Sequence, residues 1–253
     1  MSEVIGFVLI FALVISSIGV VYTLGFTGLQ DARDAERLEN AERAMDVLAD
    51  NIEDLRSDDA PNRATELKLY DAGLSLGDRT SFTVRVTSFS PTKVYSVDAE
   101  PIIYTPTEGG TTLRYVNGAV IRTDRGGAVF LQEPRFLFRD TGTTMSAVFP
   151  LIQTRAIDNS AAGGTTTVLV RTELANAELL ASHLSAAGPH DVEFEVTTTT
   201  ERAPVWQSFL ESELDDAYGD ASYCSASGGT VTCSFTVDRL YVSATRVDVT
   251  IES

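Results

Sequence analysis

The two cysteines carry the clearest chemistry in this chain. In Cys224-Ser-Ala-Ser-Gly-Gly-Thr-Val-Thr-Cys233 a two-residue turn at Gly228-Gly229 sets Cys224 opposite Cys233. Counting outward from the turn leaves them in a non-hydrogen-bonded antiparallel pair, where Cα atoms lie about 4.5 Å apart. That separation suits a disulfide, and a disulfide implies an oxidising, extracytoplasmic location. Free core thiols or a redox pair are the alternatives, although the spacing is not Cys-x-x-Cys. Other reactive types are thinly spread. Gly73-Leu74-Ser75-Leu76-Gly77 fits G-x-S-x-G, yet Asp78-Arg79-Thr80 after it leads into a strand where a nucleophile elbow needs a helix, so we read it as a hairpin loop. His183 and His190 are the only histidines, and neither lies in a motif with a carboxylate partner. Asp215, Asp216 and Asp220 do not follow calcium-loop spacing and read as a solvated face. No phosphate-cradling glycine loop, zinc spacing, dinucleotide fingerprint or N-x-S/T sequon is present, so neither a catalytic site nor a metal site nor a cofactor is expected.

Composition narrows the partners. The 253 residues include 36 acidic and 19 basic side chains, for a net charge of −17. Such a surface repels phosphate backbones, and the arginines do not cluster in sequence, so no nucleic-acid partner is expected. Only Lys68 and Lys93 are lysine, and the other 17 cations are arginine. This acidic, lysine-poor balance resembles that of proteins from salt-loving archaea, the alternative being an ordinary acidic protein. In concentrated salt the Debye length falls to about 3 Å, which screens repulsion among carboxylates.

The charge is absent from the N-terminal run. Val4 to Leu29 holds no charged side chain, and 26 helical residues reach about 39 Å, enough to cross a hydrocarbon layer of about 30 Å. Residues 1–29 therefore read as a membrane-length helix with the membrane as a partner, and the mixed charges after it fix no orientation. Ala12, Ser16, Gly19 and Thr23 place small side chains on one face. Small stripes let helices approach closely, although a lone anchor also tolerates them. Residues 30–56 continue without proline, and Leu38, Ala41, Met45, Leu48, Ile52 and Leu55 recur at alternating spacings of three and four. Two explanations stay open: a stalk whose seam packs against other helices, or a helix whose stripe lies on its own β domain.

Ser2-Glu3-Val4-Ile5-Gly6-Phe7-Val8-Leu9-Ile10-Phe11-Ala12-Leu13, opening a hydrophobic helix that runs into a charged amphipathic one, resembles the N-terminus of haloarchaeal type IV pilin-like proteins. The match covers about the first 30 residues. It implies helices that sit in the membrane before assembly and then bundle into a filament core, with globular heads facing out at the cell surface. It also implies that Glu3 offsets the terminal amine of a neighbouring subunit. In that family a membrane peptidase removes a short basic leader; no such leader or cleavage site stands before Ser2 here.

Beyond a breaker-rich linker at residues 57–64 the period changes from 3.6 to 2. Residues 65–253 read as an antiparallel β-sandwich-like head, making the chain α+β. Candidate strands include Ser81 to Thr87, Thr144 to Gln153, Thr165 to Thr172, Val192 to Thr199, Thr230 to Val237 and Leu240 to Glu252. Asn117-Gly118 signals a type I′ hairpin. One short helix starts near Pro204, with Trp206, Phe209, Leu210, Leu214 and Ala217 on its apolar face. The expected function is a non-enzymatic filament subunit that self-associates into a helical homo-oligomer through Glu3, Gly6, Ala12, Ser16, Gly19, Thr23, Leu38, Met45, Leu48 and Ile52. A membrane-anchored binding module that never polymerises is the alternative.

Overall fold

A computed structural model describes residues 2–57, 60–107, 109–183, 189–219 and 222–252, with the side chains of 2, 3, 23–27 and 31 outside the description. In chain order the elements are α1 (Ser2–Ser57), β1 (Asn62–Lys68), β2 (Ala72–Leu76), β3 (Thr80–Val86), β4 (Lys93–Ala99), β5 (Ile102–Pro106), β6 (Thr112–Val116), β7 (Ala119–Asp124) and β8 (Gly127–Gln132). They continue with β9 (Leu137–Asp140), β10 (Met145–Ala156), β11 (Ala161–Gly164), β12 (Thr167–His183), β13 (His190–Thr197), α2 (Ala203–Tyr218), β14 (Cys224–Ser227), β15 (Thr230–Val237) and β16 (Arg239–Glu252). The protein is α+β, an N-terminal apolar helix followed by a body that is mostly sheet.

The strands form three sheets, ordered β1-β12-β16-β10-β9, β11-β2-β5-β6-β7-β8 and β14-β15-β13-β3-β4. Pairing is antiparallel except between β10 and β16, which run parallel from Ser146 opposite Arg239 to Ala156 opposite Val249. Alternation along β3, with Phe82, Val84 and Val86 buried, and along β13, with Val192, Phe194 and Val196 buried, aims one face of the third sheet at the core. The first sheet meets it there, with the Phe149 ring of β10 4.5 Å from Phe194. The four-turn helix α2 adds Trp206, Phe209, Leu210 and Leu214 to the same core. Each large side chain removed from water in this way contributes about 1.5–3 kcal/mol.

The chain divides by contacts into two compact units, Met1–Glu42 and Arg43–Ser253. The division falls within α1, upstream of the expected linker at 57–64, of which residues 58 and 59 lie outside the described residues. The reason is the burial of Met45, Leu48, Ala49, Ile52 and Leu55, each at most 1% exposed. The polar flank of this segment is tied down as well. Asn51 Nδ2 donates to Thr65 Oγ1 of β1 at 2.8 Å, and Arg63 of β1 pairs with Asp54. Met45, Leu48 and Ile52, expected as an assembly seam, are therefore core residues of their own β body. The amphipathic period was real, and the partner it finds is intramolecular.

Two turns show why particular residues are required. Asn117 (φ 50°) and Gly118 (φ 79°) both take positive φ, the geometry of a type I′ turn closing β6 and β7. Asn117 is buried, and its Oδ1 accepts the Ile152 N–H of β10 at 2.6 Å. At Gly229 a Cβ would stand 2.4 Å from the Thr198 carbonyl oxygen, so the β14–β15 turn accepts no side chain there.

Candidate membrane and assembly surface

Val4–Tyr22 is the feature that the fold leaves uncovered. These 19 residues form a helix long and apolar enough to cross a membrane, and none of its side chains is buried. At 1.5 Å per residue they span about 28 Å, close to a hydrocarbon layer. Phe7 is 70% exposed and stacks on Phe11 one turn later, with ring centroids 6.2 Å apart. Ser17 Oγ donates to the Val14 carbonyl at 2.8 Å, which satisfies the hydroxyl within the helix, as a lipid environment demands. Ala12, Ser16 and Gly19 lie exposed on one face, and a Cβ added at Gly6 or Gly19 would meet nothing within 4 Å. Leu38 is half-buried. The side chains of Glu3 and Thr23, also expected at the assembly surface, lie outside the described residues.

The body answers the remaining chemical readings. Cys224 and Cys233 are joined by a disulfide, their Cα atoms 4.0 Å apart and directly paired across β14 and β15. Glu211 of α2 holds the start of β14, accepting the Tyr223 N–H at 2.9 Å and the Cys224 N–H at 2.6 Å. Reduction should add two hydrogens to the intact mass and cost about 2–3 kcal/mol, because a bridge closing so short a loop removes little chain entropy. Thermal denaturation with and without reductant measures this. An unchanged mass would mean the thiols are unpaired in the protein as isolated.

The G-x-S-x-G run occupies strand β2 and its end, with Ser75 paired to Ile103 and to Ala161, so Ser75 stands in a ladder and not on an elbow. Asp215 and Asp216 line a shallow polar groove along α2 with Gln207 and Glu211, while Asp220 lies outside the described residues. Among the described residues no group of three His, Cys, Asp or Glu side chains is placed to hold a metal ion.

The two histidines, distant from any motif, come together. His183 Nε2 shares a 2.8 Å hydrogen bond with the Tyr95 hydroxyl, the His183 and His190 rings are 5.6 Å apart, and Phe89 stacks on His190. Burial, then the neighbouring His190 and Lys93, hold the His183 pKa below its usual value. The folded state thus prefers neutral His183. Its contribution to stability is complete above the unfolded value of about 6.5 and is lost as pH falls from there toward the depressed folded value. We expect melting temperature to drop between pH 7 and 5, and His183→Gln to flatten that drop. An equal slope in the variant would assign acid sensitivity elsewhere.

Glu53 went unnoticed in the sequence because it sits in an acid-rich helix. It is 8% exposed, and its carboxylate receives the guanidiniums of Arg56 and Arg135. The spacing of Glu53 and Arg56, one helical turn, was the available signal.

No curated protein and no solved structure matches the chain. A family model described as "Family of unknown function (DUF7289)" matches residues 1–250, and the chain therefore belongs to that family.

Proposed function

We propose that this protein is a non-enzymatic structural subunit of an archaeal type IV pilus-like surface filament. Its N-terminal helix resides in the membrane before assembly and in a helical core afterwards, and its sandwich-like β head is exposed outside the cell for attachment. The observation that carries this reading is the uncovered apolar helix Val4–Tyr22, with Ala12, Ser16 and Gly19 on one face. A surface this apolar needs lipid or other helices around it. The disulfide and the acidic, lysine-poor composition support an extracytoplasmic, salt-rich setting.

One observation favours the second reading, an anchored binding module that never polymerises. Met45, Leu48 and Ile52 are consumed by the head, so any assembly contact is confined to the helix upstream of them. Shearing cells and examining the released material by electron microscopy and N-terminal mass spectrometry separates the two. Ordered filaments containing this chain are expected. Recovery only as a detergent-soluble monomer would reject polymerisation and leave the anchored module.

A further inference from the structure

Past Leu174, whose N–H donates to the Pro61 carbonyl at 3.0 Å, β12 has a strand on one side only among the described residues. Its register with β16 slips between Leu174 and Asn176 and again between Leu179 and Ala181, and Leu179 is 62% exposed. A one-sided, twice-bulged strand is weakly held by its backbone ladder alone. Its last residue is tied to another sheet. His183 belongs to the first sheet and Tyr95, on β4, to the third, and their 2.8 Å hydrogen bond crosses between the two. The His183 ring also packs 5.1 Å from Phe89 of the β3–β4 connection and 5.6 Å from His190, the first residue of β13. Phe89 and His190 in turn lie 5.4 Å apart, so the three rings form one cluster. Ala181, two residues before His183, is buried in the core between these sheets, and Leu180 packs against that core.

This cluster suits a neutral imidazole better than a charged one. Burial raises the Tyr95 pKa, so its phenol stays protonated at neutral pH and can donate to His183 Nε2. Protonation of His183 turns Nε2 into a donor and can reverse the bond, but it also sets a charge among half-buried aromatic rings. The charged or titratable groups acting on that charge are His190 of β13 and Lys93 of β4, and no carboxylate of β4, β12 or β13 is among them. Asp191, next to His190, takes the opposite face of β13 and accepts the Thr236 hydroxyl at 2.9 Å.

We infer that His183 is an acid-released latch: its protonation lets the end of β12, Leu180 to His183, leave Tyr95 and the third sheet while the rest of the body stays folded. The opening is local, distinct from loss of stability of the whole body, and does not depend on filament assembly. Burial and the two neighbours depress the His183 pKa, so the latch is closed above about pH 6.5 and opens as pH falls below it.

The test is hydrogen exchange of the full chain in non-ionic detergent at about pH 7.5 and about pH 5, corrected for the intrinsic rate at each pH. Peptides covering Leu180 to His183 should lose protection about tenfold at the lower pH, while those covering Val192 to Val196 keep theirs. His183→Gln should abolish that loss. Unchanged protection at Leu180 to His183, an equal loss in His183→Gln, or a parallel loss at Val192 to Val196 overturns the inference. If His183→Gln fails to fold, Tyr95→Phe decides: protection of Leu180 to His183 already lowered at the higher pH supports the latch, and protection matching the wild type at both values overturns it.

Discussion

Ile52→Asp is expected to unfold the β body of the detergent-solubilised monomer, with loss of near-ultraviolet circular dichroism and rapid proteolysis. Ile52 is 0% exposed, between Leu48 and Leu55 in the segment of α1 that belongs to the body. Deleting such a side chain costs about 2–5 kcal/mol, and an unpaired buried carboxylate adds several more. Against a domain stability of about 5–15 kcal/mol this removes most or all of the folded state. Ile52→Val, by contrast, should cost about 0.5–1.5 kcal/mol and leave the fold intact. The experiment separates the two roles open to this stripe. A free stalk would tolerate the charge in the monomer and lose only its contacts with other subunits, so a folded Ile52→Asp monomer would contradict the burial described above.

The second large effect concerns assembly. Gly19→Ile is expected to reduce filament yield at least about tenfold while membrane insertion is unchanged. Within the chain the substitution is harmless: a Cβ at Gly19 meets nothing within 4 Å, and isoleucine has better helix propensity and greater apolarity than glycine. Any loss must therefore come from a neighbouring molecule. A steric penalty of about 1.4 kcal/mol per contact suffices for a tenfold change, and contacts repeated along a filament compound it. Filaments in normal yield would show that the small face at Ala12, Ser16 and Gly19 is not where helices meet.

Much of the head is legible from local pattern, and the exceptions have physical causes. Alternation exposed β3, β13 and β15 because each buries one face, and Asn117-Gly118 and Gly228-Gly229 were readable because their turns demand those residues. The residues Glu173 to His183 are rich in alanine, leucine and glutamate and carry no strand signal. They nevertheless extend β12 to His183, because pairing with β16 across two bulges supplies the hydrogen bonds that local propensity does not. The parallel match of β10 with β16 was hidden for a similar reason, since nothing local marks a partner about ninety residues away. At the candidate surface the small face of α1 was readable from spacing, whereas the covering of Met45, Leu48 and Ile52 was not. A stripe at 3.6-residue period states that a partner exists and leaves its identity to the tertiary fold.

The place of β16 in its sheet governs the order of events after synthesis. Residues Arg239–Glu252 lie between β12 and β10, so the sheet has a gap at its centre until the last strand emerges. Pairings of such long sequence separation form late and slowly. The body is therefore most vulnerable to proteases and aggregation just before its final strand arrives.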